Sequence, residues 1–383
     1  MSTPPIVTRL DSTPETLRVE WANGDLSEFA SLWLRDNRPD DRDPHNGQRL
    51  IDITELPEDP RIRSAVARGD VVLVEWDGDS QRSSFDLAWL QRHQGTIDRQ
   101  RPELMTRLWL EGAAADAATE FAWTPLAEAR GNPAARLNWL TRLLQDGIAF
   151  LSGVPCDDAG ILDVTSLIGR VCETNYGLVF DVRSVARPAN LAYSDLGLGL
   201  HTDNPYRDPV PGFQALHVLK ASREGGDSLF ADGFAIAARM RATEPDAFDR
   251  LSRTPVPFLY QSKDAELYAE TPLIQLSCSG GIKAVHYNSR SIAPLRLPPD
   301  ELRPYYAAYR QFGALLREAR FQVQIGLDDG DLVVFDNERI LHGRTGFSSA
   351  THARHLRGCY LTRDSVHCET ALLRRRLEEE GHR

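Results

Sequence analysis

The chain has 383 residues, 42% hydrophobic and 26% charged, with 55 acidic against 44 basic side chains and a formal charge of −11. This length favours two domains and a core large enough to enclose a buried site. The acidic balance argues against a nucleic-acid partner, which calls for a basic face, and no run of 18 apolar residues argues for a membrane span.

The start, MSTPPIVTRLDSTPETLRVEW, has no basic stretch followed by an apolar one, so no secretory leader is expected. Cys156, Cys172, Cys278, Cys359 and Cys368 are odd in number and never form a CxxC pair, which fits a reduced, cytoplasmic protein. The negative charge also suits a cationic substrate, although acidic solubility explains it equally simply.

Residues 1–110 read as a small β-rich domain. TLRVEWANGDLSEFASLWLRDN and DVVLVEWDGDSQRSSFDLAWLQRH share one rhythm of apolar alternation, a Gly-containing turn and a short helical stretch. The small-residue segment GAAADAATE (112–120) reads as a linker. Residues 120–383 mix helices with strands. AARLNWLTRLLQDG (134–147) and PDELRPYYAAYRQFGALLREAR (299–320) carry apolar residues at helical spacing. FQALHVLK, AVHYNSR, FQVQIGL, DLVVFDN and HLRGCYLTRD alternate as short strands, and TALLRRRLEEEGHR closes the chain as a charged helix. Many short strands separated by turns predict a mostly β sandwich or jelly roll with flanking helices.

The motif that carries chemistry is Leu-His201-Thr-Asp203, answered about 140 residues later by Asp336-Asn337-Glu-Arg-Ile-Leu-His342-Gly343. Two imidazoles and one carboxylate on one face of a metal leave positions open for a bidentate cosubstrate and O2, an arrangement that suits Fe(II). On an extended strand, His201 and Asp203 at i, i+2 would project from one face toward one ion. The rival His367-Cys-Glu369 lies in the terminal helical stretch with only His382 downstream. Arg354, twelve residues after His342, is either a forked grip on a cosubstrate carboxylate or a surface salt bridge, and spacing alone does not separate the two.

Around HTDNPYRDPVPGFQALH, GGDSLFADGF, VVFDNERILHGR and RHLRGCY the chain resembles the γ-butyrobetaine dioxygenase branch of the TauD-type Fe(II)/2-oxoglutarate oxygenases, and weaker similarity extends to LWLRDN. That resemblance implies a double-stranded β-helix (jelly-roll) catalytic domain behind a small β-rich domain, and a homodimer. It implies His201, Asp203 and His342 as iron ligands, with Arg354 and Ser228 on the 2-oxoglutarate cosubstrate and O2 as oxidant. The family's N-terminal domain holds a structural zinc through cysteines just after LWLRDN. Here that run is Arg38-Pro39-Asp40-Asp41-Arg42-Asp43, Gln81 stands at the matching His position, and His45 alone cannot substitute. No structural zinc is expected, with Arg and Asp side chains cross-linking the loop instead.

The resemblance further places Tyr176, Phe180, Tyr193 and Tyr360 on aromatic positions that would face a quaternary ammonium group, which cannot donate hydrogen bonds and is held by aromatic faces. Asn190 and Asn288 fall on positions that bind the substrate carboxylate, and Asp195 is either a charge beside the ammonium or a solvated loop carboxylate. Arg290 is either a structural ion pair or an extra cation favouring a doubly charged head. The implied reaction is hydroxylation of an unactivated C–H of a small quaternary-ammonium substrate such as γ-butyrobetaine. 2-(Trimethylammonio)ethylphosphonate and trimethyllysine are the alternative substrates. A catalytically silent jelly-roll binding protein is the alternative from a different class.

Overall fold

The computed structural model describes residues 5–79, 82–93, 105–109, 121, 123–183, 197–222, 224–346 and 354–381. The chain divides into two compact units, residues 1–102 and 103–383. Among the described residues no helix is long and apolar enough to cross a membrane.

The first unit repeats one motif. Strands Val7–Ser12, Thr16–Trp21 and Leu26–Ala30 form an antiparallel sheet followed by the helix Ser31–Asp36; Ile62–Arg68, Val71–Trp76 and Arg82–Asp86 repeat it, followed by Leu87–Arg92. The alternation read in the sequence is the burial alternation: Leu17, Val19 and Trp21 point inward from one strand, and Val72, Val74 and Trp76 from its counterpart. Each buried indole donates to a serine on the next strand, Trp21 to Ser27 at 2.6 Å and Trp76 to Ser83 at 2.8 Å. The loop after Asn37 is tied by ion pairs, Arg35 with Asp41 and Arg49 with Asp36 at 2.5 Å each. The buried Arg38 lies 3.5 Å from both Asp40 and Asp79.

The second unit is built on a seven-stranded sheet and a four-stranded sheet. The larger has Phe180–Arg183, His355–Leu361, Phe213–Lys220, Leu332–Asp336, Ile148–Ser152 and Trp123–Pro125 in that order, with Val171–Cys172 paired to His355–Leu361. The smaller runs Leu198–His201, Ile340–Arg344, Ser228–Asp232, Val323–Ile325. Side-chain alternation assigns the faces. Ala149 and Leu151 join Ala215, Val334, Cys359 and Leu361 in a core with the helices Pro133–Asp146 and Arg363–Gly381. Ile148 and Phe150 point the other way, where Phe150 and Phe335 meet Phe230 of the smaller sheet at centroid distances of 6.2 and 5.8 Å. This is the mostly β sandwich with flanking helices.

Several boundaries differ from those expected from sequence. The helix expected over 299–320 spans Pro299–Leu315, and the terminal helix begins earlier, at Arg363. In AVHYNSR the strand ends at Val285, because the next residues turn to bind the loop between the candidate metal ligands. Thr202 N–H donates to the Tyr287 carbonyl at 2.9 Å, and Asn288 Nδ2 donates to the Thr202 carbonyl at 3.0 Å. The strand bearing His201 likewise ends at that residue, so Asp203 lies beyond it rather than two places along an extended strand.

Candidate active site

His201 closes its strand directly across from His342, its register partner on Ile340–Arg344, and the two rings lie 4.3 Å apart. Gly343 makes this approach possible: a Cβ there would stand 2.4 Å from the Leu198 carbonyl oxygen, closer than packing allows. Asp203 is fixed through its backbone. Asn337, fully buried, accepts from Asp203 N–H at 2.8 Å and donates to its carbonyl at 3.0 Å, as well as to the Pro211 carbonyl at 3.0 Å. The carboxylate of Asp203 then sits with Oδ1 3.2 Å from His201 Nε2 and Oδ2 3.8 Å from His342 Nε2.

One ligand atom from each of these three residues falls within 4.8 Å of the others, and among the described residues no other group of three such side chains converges in this way. His201 Nδ1 is engaged with the Gly199 carbonyl at 2.9 Å, which leaves Nε2 for the centre. Burial and the neighbouring His201 push the His342 pKa down to about 3, so its imidazole is neutral at pH 7 with a lone pair to give. Burial works against ionisation of Asp203, but the His201 hydrogen bond, both imidazoles and the Tyr360 hydroxyl outweigh it and hold the carboxyl well below its usual range. Two imidazoles and one carboxylate are the donor set that suits Fe(II) with open positions. His367 and Glu369 of the rival motif lie on the terminal helix and join no such group.

A cavity of about 450 Å³ opens over these donors. Alternate residues of the last sheet segment face it: Arg354, which immediately precedes the strand, then Leu356 and Tyr360. Phe180 covers Gly358 between them, where a Cβ would come within 2.5 Å of the ring. At ~3.4 Å per residue, roughly 20 Å of chain separates Arg354 from Tyr360, so one strand edge serves two chemically distinct regions.

At the Arg354 end, Ser228 and Arg344 are cross-strand partners and both line the cavity. Burial and the like charge of Arg344 lower the Arg354 pKa to about 10, which leaves the guanidinium protonated at neutral pH. Arg354 is 8% exposed. Among the described lining residues Asp203 is the one carboxylate, and this end of the cavity is lined by Arg344, Arg354 and Ser228.

At the other end the lining is aromatic. Phe180 lies 5.2 Å from Tyr360 and 6.2 Å from Tyr176, and Tyr176 lies 5.9 Å from Tyr260, which stacks on Tyr206 at 5.2 Å. Tyr360 also reaches the donors themselves, since its hydroxyl donates to Asp203 Oδ2 at 2.8 Å.

Tyr176, Phe180, Asn288 and Tyr360 of the sequence-derived set all line this cavity, as does Arg290. Asn288 is largely engaged already, because its Oδ1 accepts from Arg290 N–H at 3.2 Å while its amide nitrogen serves Thr202. Arg290 is reached by a turn rather than a continuing strand, and its side chain has no ion pair among the described residues. Asn190, Tyr193 and Asp195 lie outside the described residues. Sequence reasoning passed over Tyr206, Tyr260, Gln214, Arg344 and the positioning role of Asn337. Gln214 and Arg344 were accessible through strand alternation; nothing local marks Tyr260 or the reach of Asn337.

Fold and donors together define a dioxygenase of the iron- and 2-oxoglutarate-dependent class. Residues 124–360 match the Taurine catabolism dioxygenase TauD, TfdA family, and residues 8–91 match the Gamma-butyrobetaine hydroxylase-like, N-terminal family. The chain belongs to the TauD, TfdA dioxygenase family. It is 34% identical to a gamma-butyrobetaine dioxygenase of Pseudomonas sp. (strain AK-1) over 93% of each chain. The human gamma-butyrobetaine dioxygenase is 26% identical, covering 94% of this chain and 95% of its own. The mitochondrial trimethyllysine dioxygenase of Rattus norvegicus is 28% identical, covering 89% of this chain and 82% of its own.

Proposed function

We propose that this enzyme hydroxylates an unactivated C–H of a small trimethylammonium substrate such as γ-butyrobetaine, with His201, Asp203 and His342 holding Fe(II). The observation that carries this reading is the division of one cavity into an aromatic wall, a His–Asp–His centre and a cationic end. Bound iron would couple oxidative decarboxylation of 2-oxoglutarate by O2 to oxygen transfer into the substrate C–H bond. The protein's own contribution is placement. Arg354, with Ser228 beside it, grips the distal carboxylate of 2-oxoglutarate in a forked pair that a lysine would not reproduce. Tyr176, Phe180 and Tyr360 present ring faces to the ammonium, which attract it electrostatically without needing a hydrogen bond from it.

A second substrate reading is favoured by one residue. Arg290 lines the same cavity with its guanidinium free of any ion pair among the described residues, and a fixed cation of that kind suits a doubly charged phosphonate head. The deciding experiment supplies Fe(II), 2-oxoglutarate and O2 with γ-butyrobetaine, 2-(trimethylammonio)ethylphosphonate, trimethyllysine and the unmethylated amine of each. Succinate formed one-for-one with a hydroxylated trimethylammonium product supports the reading, and the best compound fixes the head group. Equal turnover of methylated and unmethylated amines would remove the aromatic wall from substrate selection. Iron that binds without coupled turnover of any panel member would favour the catalytically silent binding protein.

A further inference from the structure

Asp203 is followed by Asn204, the one non-glycine residue with positive φ (56°) among those described. Left-handed backbone is costly for a residue with a Cβ, and asparagine tolerates it better than most. Its surroundings therefore hold it there. The side chain is 4% exposed and lines the cavity. Its Oδ1 accepts a 2.5 Å hydrogen bond from the Tyr206 hydroxyl, which lies 3.2 Å from that of Tyr176. Its Nδ2 is buried with no hydrogen-bond partner, although the amide lies close enough to the Tyr360 hydroxyl to offset a little of the upward pull that burial exerts on its pKa.

These contacts close a circuit. Tyr360, Phe180, Tyr176, Tyr260 and Tyr206 follow one another by ring contact around the aromatic wall. One end of that wall is fastened to Asp203 by the Tyr360 hydroxyl, and the other reaches the adjoining residue through Tyr206 and Asn204. A trimethylammonium group makes no directional bond, so it cannot choose its own depth along aromatic faces. The depth must come from how firmly the wall is fixed to the centre. Neighbouring carbons of a substrate chain differ in position by little more than the ~1 Å misplacement that costs about a hundredfold in rate.

We propose that Asn204 is a positioning residue that fixes the aromatic wall relative to Asp203, and thereby sets which substrate carbon faces the metal. The proposal rests on the reading that a trimethylammonium group occupies the wall. Two variants test it. Asn204→Gly keeps access to positive φ while deleting the amide, and Tyr206→Phe keeps the ring while deleting the donor. With redox-silent Mn(II) in place of iron, and with 2-oxoglutarate and γ-butyrobetaine present, paramagnetic broadening of the N-methyl proton signal reports the distance from metal to ammonium. Both variants are expected to change that broadening at saturating substrate. With Fe(II) they are expected to release several-fold less hydroxylated product per succinate, at an unchanged KM for 2-oxoglutarate. Unchanged broadening and unchanged coupling in both variants would overturn the proposal alone. No broadening in the unaltered protein would overturn the substrate reading beneath it, and the proposal with it.

Discussion

Replacing Tyr360 by Phe separates two roles that converge on one side chain. The ring, 5.2 Å from Phe180, is retained, while the 2.8 Å hydrogen bond to Asp203 Oδ2 is lost. Burial and the adjacent Asp203 raise the Tyr360 pKa well above its ordinary value, so the hydroxyl remains a donor throughout the working pH range. A hydrogen bond to a charged group contributes roughly 1.5–3 kcal/mol. Part of that is present with or without metal, because Asp203 is anionic in both states. The differential effect on iron therefore falls at the lower end, about 1.4 kcal/mol or tenfold in affinity, in line with the ~10- to 100-fold cost of removing a partner of a metal ligand. Anaerobic Fe(II) titration against a chromophoric chelator measures it, alongside the KM for a trimethylammonium substrate. The expected result is about tenfold weaker iron binding with substrate KM nearly unchanged. Unchanged iron affinity with a large rise in substrate KM would disprove this division of roles and return Tyr360 to the substrate alone.

Three further substitutions probe neighbouring contacts. Asn337→Ala strips the buried Asp203 N–H and carbonyl and the Pro211 carbonyl of their partner, and should cost roughly 3 kcal/mol in urea unfolding at an unchanged m-value. Arg354→Lys keeps the charge and loses the fork, so the KM for 2-oxoglutarate should rise tenfold or more (about 1.4 kcal/mol) while that for the second substrate changes far less. His286 is held down to a pKa of about 4 by burial and then by Lys283, whereas the unfolded chain protonates near pH 6.5. Its contribution is thus fully present above pH 6.5 and lost as pH falls toward 4, a decline of about 3 kcal/mol that His286→Gln should remove from the stability–pH curve.

Features whose chemistry is written locally were legible in the sequence. His-x-Asp before a Pro-rich loop and a His-Gly after a buried strand identify the donors, because few other residue sets leave a metal with open positions. Strand alternation identifies the cores of both units, since one face of each strand is buried. Geometry set by distant residues was not legible. The i, i+2 spacing puts Asp203 on an extended strand, yet that strand ends at His201 and the carboxylate is aimed by Asn337, 134 residues away in sequence. No local pattern encodes such a contact. Tyr206, in a turn, and Tyr260, on a strand, were equally hidden, because an aromatic side chain looks the same in sequence whether it lines a cavity or fills a core. The Arg–Asp loop after Asn37 was legible in part: Arg38 and Asp40 pair within the run, whereas Arg49 reaches Asp36 from 13 residues away.

Whether the His–Asp–His centre performs coupled oxygen transfer is tested by an isotope experiment with Fe(II), 2-oxoglutarate, γ-butyrobetaine and labelled O2. One labelled oxygen atom is expected in succinate and one in the hydroxylated product, with the two compounds formed in equal amounts. Both signals should vanish in Asp203→Ala while the protein remains folded. Product oxygen drawn from water, or full turnover in Asp203→Ala, would show that these three residues do not direct the reaction.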